Sequence, residues 1–131
     1  MDQNPKESLV DIAVMYLKAP YLAGGKTPFG IDCSGFTQMV YKINGYKILR
    51  DAKDQATQGV TLSFIEESEP GDLAFFHNDN DEIIHVGIIL KDNHIIHASG
   101  KVRIDRLDQS GIYNNEKNKH THSLRYIKKI I

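Results

Sequence analysis

Three residues of this chain carry side chains suited to nucleophilic chemistry on an amide: Cys33, His85 and His97. Cys33 is the only cysteine among the 131 residues, so no internal disulfide can form and its thiol stays free. A thiolate attacks a carbonyl carbon once a base has taken its proton, and imidazole is the commonest such base. A free cysteine is also a common apolar core residue, so its surroundings must decide between the two roles.

Cys33 lies where a glycine-rich loop leads into a predicted helix, within the run GIDCSGF at residues 30–36. The first turn of a helix presents unpaired backbone N–H groups and the positive end of the helix dipole. Both favour a thiolate, and both can stabilise an oxyanion. The same run also suits a structural role, in which Asp32 or Ser34 caps the helix and the cysteine fills a gap. The run alone leaves both roles open.

His85 and His97 lie in two consecutive apolar segments that are predicted to be strands. A single histidine in an apolar strand is usually structural, but two on neighbouring strands can act together. If the strands form a hairpin through a three-residue loop at 91–93, Gly87 lies opposite His97 and the two imidazoles share a face as diagonal neighbours. A two-residue turn would place them on opposite faces. The catalytic interpretation therefore predicts the three-residue loop, with His85 as the base and His97 orienting its ring.

The rest of the sequence indicates helices first and strands afterwards. The spacing of apolar residues predicts helices over 7–18 and from about Cys33 to Ile43, and a short helix within 50–59. Five later segments are rich in β-branched and aromatic residues and are separated by polar turns: 72–76, 83–90, 93–99, 102–107 and 124–131. Segment 113–123 is polar and is expected to be an exposed loop. This order predicts an α+β domain with an antiparallel sheet.

Length and composition limit the classes of function. With 131 residues and 40% hydrophobic content, the chain is expected to form one domain, with residues 1–6 as a flexible tail. A net charge of −1 gives no electrostatic reason to expect a nucleic-acid partner. No apolar stretch approaches the length of a membrane span. The first residues, MDQNPKES, lack the basic-then-apolar layout of a secretory signal.

In their order along the chain, these residues resemble the NlpC/p60 family of papain-like cysteine peptidases. The resemblance covers nearly the whole chain, from about Ser8 to Ile131. It is carried, in family order, by Tyr21 before Gly24-Gly25, DCSGF at 32–36, Arg50, Gln55, PGDL at 70–73, HVG at 85–87 and IHAS at 96–99. Each piece is weak alone, but the whole set in this order is highly specific.

The resemblance implies a papain-like fold in which the helix carrying the cysteine packs on a small antiparallel sheet carrying both histidines. It implies hydrolysis of the γ-D-glutamyl bond to a diamino acid, meso-diaminopimelate or lysine, in peptidoglycan stem peptides. The reaction would pass through a thioester on Cys33, with no metal or other cofactor. The expected partner is therefore a bacterial peptidoglycan stem peptide or a muropeptide, in cell-wall degradation or muropeptide recycling.

The resemblance also assigns substrate contacts. Tyr21 matches a tyrosine beside the nucleophile that helps to bind the oxyanion or the substrate. Asp32 and Ser34 match the pair that binds the free amino terminus of L-Ala in members similar to the recycling enzymes. By that analogy the substrate is L-Ala-γ-D-Glu-diamino acid, although Asp32 has helix capping as an alternative role.

The chain departs from the family in two respects. Members commonly carry an aromatic residue directly before the paired glycines, where this chain has Ala23. Relatives of narrow specificity also carry an N-terminal SH3-like domain, and this sequence has none, which is compatible with a longer parent protein. Recycling relatives can be cytoplasmic and wall-remodelling relatives are exported, so the compartment stays open between the cell envelope and the cytoplasm.

Three alternatives stay open from the residues alone. Cys33, His85 and His97 could ligate zinc, since one cysteine and two histidines leave a position for water. The domain could bind peptidoglycan fragments without cutting them. The same fold could also carry out amidase or acyl-transfer chemistry on another substrate.

Four further polar residues are given lesser roles. Arg50 is expected to pair with acidic groups near the cleft or to hold a loop, and Gln55 is expected to pack structurally. His120 and His122 are predicted to be exposed loop residues.

Overall fold

The computed structural model describes residues 3–131. Within them the first half contains α1 (Glu7–Val14), β1 (Lys26–Thr27), β2 (Gly30–Ile31), α2 (Cys33–Ile43), α3 (Ala52–Gln55), β3 (Val60–Leu62) and a 3₁₀ helix (Ile65–Glu67). The second half contains β4 (Leu73–His77), β5 (Ile83–Leu90), β6 (His94–Ser99), β7 (Lys101–Asp108), β8 (Gly111–Asn114) and β9 (Lys119–Lys129). The predicted α+β class, with helices preceding an antiparallel sheet, is confirmed.

Strands β4 to β9 form an antiparallel sheet that closes into a ring. The order is β3-β9-β4-β5-β6-β7-β8, and β9 also pairs with β8. The long strand β9 closes the ring because its first half pairs with β8, with Ile112 opposite His122, and its second half pairs with β4, with Ala74 opposite Ile127. Closure gives every strand of the ring a paired neighbour on each side and gives the sheet an inner and an outer face.

Each face of the ring has its own apolar core. The inner core consists of Ala74, Phe76, Ile89, Ile95, Leu107, Ile112 and Ile127. The outer core joins the sheet to α1 and α2 and includes Leu9, Phe36, Val40, Leu73, Phe75, Val86, Ile88 and Ile96. Because successive strand residues alternate between faces, β5 directs Val86 towards the helices and His85 towards the inner face. The strand that carries the candidate base thus also packs against the helix that carries the cysteine.

Two predicted boundaries are wrong, and tertiary pairing explains both. Helix α1 ends at Val14 rather than at residue 18, since the Lys18 N–H donates instead to the Val102 carbonyl on β7 at 2.8 Å. Segment 113–123 is not an exposed loop. It contains the end of β8 and the start of β9, which pair with Asn114 opposite Lys119. Residues 115–120, around the turn between these strands, are exposed, so the strands pair here without a run of apolar residues.

The N-terminal segment contacts the rest of the domain. The Asn4 N–H donates to the Asn44 carbonyl at 2.9 Å, and Lys6 forms an ion pair with the buried carboxylate of Asp72 at 2.6 Å. The first two residues of the expected tail, Met1 and Asp2, lie outside the described residues. None of the helices within residues 3–131 is long and apolar enough to cross a bilayer.

Candidate active site

Helix α2 begins at Cys33 because Asp32 caps it. The Asp32 backbone is extended, and its Oδ1 accepts the Gly35 N–H at 2.6 Å, as in a standard N-cap. The Cys33 side chain is only 9% exposed and lies between the first turn of α2 and strand β5. The backbone N–H groups of Cys33, Ser34 and Val86 surround the sulfur. Helix α2 and strand β5 therefore both position the thiol.

The thiol of Cys33 is protonated in the resting protein. Burial raises its pKa, and the neighbouring Asp32 carboxylate acts in the same direction. The N–H groups of Val86, Ser34 and Cys33 lower it, but they do not outweigh burial. Since the thiol is not the nucleophilic form, any reaction at this sulfur needs a base close by.

The β5–β6 hairpin has the register that the catalytic interpretation requires. Gly87 lies opposite His97, and residues 91–93 form the loop, so this prediction is confirmed. The two imidazoles meet on the inner face, with His85 Nε2 at 2.8 Å from His97 Nδ1. Glycine is required at position 87, because a Cβ there would lie 2.7 Å from Ile95 Cδ1 and 2.9 Å from His97 Cβ.

A buried carboxylate, Asp105, bonds to the other side of the His97 ring and was not identified from the sequence. His97 Nε2 lies 2.7 Å from Asp105 Oδ2, on the neighbouring strand β7. Arg103 donates to both carboxylate oxygens, from Nε at 2.8 Å and from Nη2 at 3.1 Å. Burial alone would raise the pKa of Asp105, but the hydrogen bonds from His97 and Arg103 lower it below its usual value. Asp105 is therefore ionised.

The charge on Asp105 determines the tautomers of both imidazoles. A carboxylate only accepts hydrogen bonds, so His97 donates from Nε2, and the neutral form of this ring presents a lone pair at Nδ1. His85 must then donate its Nε2–H to that lone pair, which leaves its own lone pair on Nδ1. Burial, and then the neighbouring His97 and His122, hold the pKa of His85 well below its ordinary value. His85 is thus a neutral imidazole with a basic nitrogen that makes no hydrogen bond within residues 3–131.

His122 stacks on the candidate base. Its ring centroid is 4.2 Å from that of His85 at an interplanar angle of 27°, and Phe76 contacts both rings. Its Nδ1 lies 2.8 Å from the Thr121 hydroxyl. Burial and then His97 lower the pKa of His122 to about 4, so this ring is also neutral at pH 7. The rings of His85, His97 and His122 thus form one cluster on the inner face of the sheet.

The prediction that His122 is an exposed loop residue is wrong, since the β8–β9 pairing brings it to the inner face. His120 does lie exposed, but on strand β9, where it forms an ion pair with Asp108 at 2.8 Å. The signal for the two missed residues was period-two alternation: His122 with Leu124, and Asp105 with Leu107. In both cases the pattern was a single polar residue two positions before one apolar residue, which is too short to identify a face.

Asp32 also organises the polar residues beside Cys33. Its Oδ2 accepts from the Gly24 N–H and from Arg50, both at 2.8 Å, and Arg50 donates to the Ser34 hydroxyl at 2.9 Å. The predicted pairing of Arg50 with an acidic group is confirmed. Gln55 is buried and donates to the Ser34 carbonyl at 3.0 Å, which confirms its structural role.

Tyr21 borders the site on the side of the glycine-rich loop. Its backbone N–H donates to the Gly100 carbonyl at 3.0 Å, and its side chain is 44% exposed. Burial, followed by the charges of Cys33 and Asp32, raises the pKa of Tyr21. The hydroxyl therefore stays protonated and is available as a hydrogen-bond donor.

The geometry does not support the zinc alternative. Both ring nitrogens of His97 are engaged, one with His85 and one with Asp105. Across the described residues 3–131, no three cysteine, histidine or carboxylate side chains are grouped so as to hold a metal ion.

The tautomers derived above can be observed directly. In ¹⁵N-histidine-labelled protein at pH 7, long-range ¹H–¹⁵N correlation spectra should show His85 and His97 protonated at Nε2 and unprotonated at Nδ1. Asp105→Leu removes the carboxylate that accepts from His97 Nε2 and should give mixed tautomers of both rings. Asp108→Asn, at the exposed partner of His120, is the matched control and should leave both spectra unchanged. A His85 protonated at Nδ1 in the wild type would contradict the assignment.

The depressed pKa of His122 predicts acid sensitivity. Its folded-state value of about 4 lies below the ordinary 6.5, so the unfolded chain binds more protons between these values and stability falls as pH drops through this window. Burial of neutral His85 acts in the same direction. The melting temperature between pH 7.5 and 4 should therefore fall less steeply in His122→Phe, which keeps an aromatic ring, than in the wild type. His94→Gln, which removes a histidine that contacts only the Asp92 carbonyl, should retain the wild-type slope. Equal slopes in His122→Phe and wild type would refute this account.

Known proteins are similar to this chain in sequence and in fold. A profile described as "NlpC/P60 family" matches residues 18–123. The chain is 38% identical over 94 residues to the "Gamma-D-glutamyl-L-lysine dipeptidyl-peptidase" of Bacillus subtilis (strain 168), covering 70% of this chain and 31% of that protein. It is 36% identical over 107 residues to the "Dipeptidyl-peptidase 6" of Lysinibacillus sphaericus, covering 79% of this chain and 37% of that protein. The chain thus spans about a third of the length of these curated relatives.

Solved structures agree over nearly the whole chain. An NlpC/P60 family protein from Bacillus cereus ATCC 10987 superposes with a TM-score of 0.83 at 28% identity, covering 98% of this chain and 41% of that chain. The NlpC/p60 domain of the peptidoglycan hydrolase SagA superposes with a TM-score of 0.75 at 26% identity, covering 95% of this chain and 98% of that domain. Since the profile spans most of the chain and the fold agrees almost throughout, this chain belongs to the NlpC/P60 family.

Proposed function

We propose that this chain is a cysteine peptidase that hydrolyses the γ-D-glutamyl–diamino acid bond of peptidoglycan stem peptides. One observation carries the proposal: Asp105, His97 and His85 form a hydrogen-bonded chain that leaves a lone pair on His85 Nδ1. The next residue, Val86, places its N–H against the Cys33 sulfur. The names of relatives, which include γ-D-glutamyl-L-lysine dipeptidyl-peptidases and a peptidoglycan hydrolase, support the substrate class.

In the proposed first step, His85 Nδ1 takes the thiol proton while the Cys33 sulfur forms a bond to the γ-carbonyl carbon. The π electrons of the carbonyl move onto its oxygen. The backbone N–H groups at the start of α2 and the Tyr21 hydroxyl supply donors for this oxyanion. His85 then returns the proton to the leaving amine as the C–N bond breaks, which gives a thioester. Water, deprotonated by His85, hydrolyses the thioester and restores the thiol.

Asp105 stabilises the charge that this mechanism creates. Protonation of His85 gives an imidazolium whose Nε2–H donates to neutral His97, and His97 in turn donates to the carboxylate. A neutral His97 alone would orient the ring but would contribute little charge. Because this series of hydrogen bonds ends on the Asp105 carboxylate, the His85 imidazolium is stabilised in a buried environment where an unpaired charge is costly.

The proposal extends to the amino terminus of the substrate. Asp32 accepts three hydrogen bonds, from Gly24, Gly35 and Arg50, and a carboxylate has about four acceptor positions. The remaining position can accept from a substrate ammonium, with Ser34 beside it. The Arg50 charge opposes this ammonium, so we expect a modest preference for a free amino terminus. We further propose that residues 1–131 act as a single catalytic domain.

The catalytic roles are tested with defined muropeptides and mass spectrometry of the products. Wild type should cleave L-Ala-γ-D-Glu-L-Lys or its meso-diaminopimelate counterpart at the γ-D-glutamyl bond. Cys33→Ala and His85→Ala should each lower turnover by about 10³-fold or more, since nucleophile and base act as a unit. His97→Ala should cost less, about 10- to 100-fold, since the base is retained. Iodoacetamide should inactivate the wild type.

The control is His94→Ala, because His94 lies on the same strand as His97 with its ring bonded to the Asp92 carbonyl. This variant should keep the wild-type rate. Equal rates in wild type and His85→Ala would refute the assigned base. Peptide binding without any cleavage by the wild type would instead indicate a binding module.

Recognition of the amino terminus is tested with free and N-acetylated tripeptides. Wild type should prefer the free peptide by about tenfold in kcat/KM, because one charge-assisted hydrogen bond is lost on acetylation. Asp32→Asn keeps the helix cap but removes the charge, and it should reduce this preference. Asp11→Asn, on the exposed side of α1, is the charge-matched control. If wild type cleaves both peptides equally well, Asp32 has only its structural role.

A further inference from the structure

His122 covers one face of the candidate base. Its ring centroid lies 4.2 Å from that of His85 at an interplanar angle of 27°, which is a stacked arrangement. His97 meets the same ring at its edge instead, with the two planes 86° apart. One histidine therefore holds the Nε2 edge of His85 through a hydrogen bond, and the other lies flat against its face. The proposed mechanism uses the first contact but gives His122 no role.

The ring of His122 is itself held in place. Its Nδ1 lies 2.8 Å from the Thr121 hydroxyl, and Phe76 packs against it edge-on, with 6.0 Å between the ring centroids. Its backbone is fixed on β9 by pairing with Ile112 on β8. A ring that has its own contacts can restrain the plane of His85 rather than follow its movements.

His122 also separates His85 from a polar pocket of about 380 Å³. The lining of this pocket includes Asp105, Lys117 and His122, but not His85. Because Lys117 is exposed, the pocket opens to solvent, whereas His85 is only 6% exposed. The imidazole of His122 is therefore a wall between the solvent side of the pocket and the face of the base.

This wall matters because burial sets the basicity of His85. Burial is the largest cause that holds the pKa of His85 well below its ordinary value, followed by the charges of His97 and His122. A buried imidazolium lacks stabilisation by water, so a side chain that keeps solvent away lowers the pKa of the base. The lowered pKa keeps His85 in the neutral form that can accept a proton from Cys33 at pH 7.

We propose that His122 is a positioning residue for His85, whose ring fixes the plane of the base and excludes solvent from its face. This inference rests on the proposed function and adds one residue to it. The role requires a flat ring but no proton on it, because no hydrogen bond within residues 3–131 joins His122 to His85. Burial and then His97 lower the pKa of His122 to about 4, so its ring adds no charge beside the His85 imidazolium at pH 7.

Several charged or titratable groups surround the two stacked rings and also influence their titration. They are His97 on β6, Arg103 and Asp105 on β7, Lys117 in the turn between β8 and β9, and Cys33 on α2. All of them are the same in the variants compared below. A change in the titration of His85 between these variants therefore reports on the side chain at position 122.

The test compares His122→Phe, which keeps a flat ring, with His122→Ala, which opens His85 to the pocket. With L-Ala-γ-D-Glu-L-Lys as substrate, His122→Ala should lower kcat about tenfold with little change in KM, because the base is present but no longer held. The acid limb of its kcat/KM profile should move up by about one pH unit, since solvent now stabilises the imidazolium. His122→Phe should keep the wild-type rate and acid limb. His120→Ala, at an exposed histidine on the same strand, is the matched control and should also behave as wild type.

A second measurement does not need turnover. NMR titration of ¹⁵N-histidine-labelled protein in a Cys33→Ala background gives the pKa of His85 directly. This pKa should be higher when His122→Ala is added than when His122→Phe is added. If His122→Ala does not fold, His122→Asn, which is polar like the pocket wall, replaces it in both measurements with the same expectations.

The failure of this inference can be distinguished from the failure of the proposed function. A wild-type kcat and acid limb in His122→Ala would overturn the inference and leave the peptidase assignment standing. A lower kcat with an unchanged pKa of His85, or an equal loss of rate in His122→Phe, would overturn it as well. If the wild type cleaves no peptide, the peptidase assignment fails and the NMR titration decides about His122. A higher pKa of His85 with His122→Ala than with His122→Phe would then support its control of the base, and equal values would overturn it.

Discussion

The hydrogen bond between His85 Nε2 and His97 Nδ1, 2.8 Å long, depends on a single choice of strand register. With Gly87 opposite His97, both imidazoles lie on the inner face of the ring. A slip of one residue would turn one of them towards the helices. Because Asp105 accepts from His97, this one bond also sets the proton positions of both rings. Register, ring orientation and the availability of a basic nitrogen thus follow from the same constraint.

Burial gives this site a neutral resting state. It raises the pKa of Cys33 and lowers the pKa of His85, so thiol and imidazole coexist rather than thiolate and imidazolium. Charge separation then arises only during the proposed reaction, when the N–H groups of α2 and the carboxylate of Asp105 are already in place. Groups that need no reorganisation at that moment are the most effective in stabilising a transition state.

The two sides of the proposed cleft carry groups of different character. At the start of α2, Asp32 combines helix capping with an ion pair to Arg50, and little of its capacity is left for substrate. On the inner face of the ring, His85 Nδ1 makes no hydrogen bond within residues 3–131 and is available for the proposed reaction.

The sequence by itself determined the features that depend on neighbouring residues. The start of α2 at Cys33 and the alternation along β5 and β6 are local, and they were sufficient to predict the helix and the two strands. The hairpin register followed only from the catalytic interpretation, and the family followed from the order of the motifs along the chain. Only the tertiary structure placed Asp105 and His122, because strand pairing and ring closure bring together residues that are far apart in the chain. The physical reason is that polar residues on the inner face of a strand ring and polar residues of an exposed loop give similar amino-acid compositions. Residues 113–123 were therefore misassigned until the pairing of β8 with β9 showed where their side chains lie.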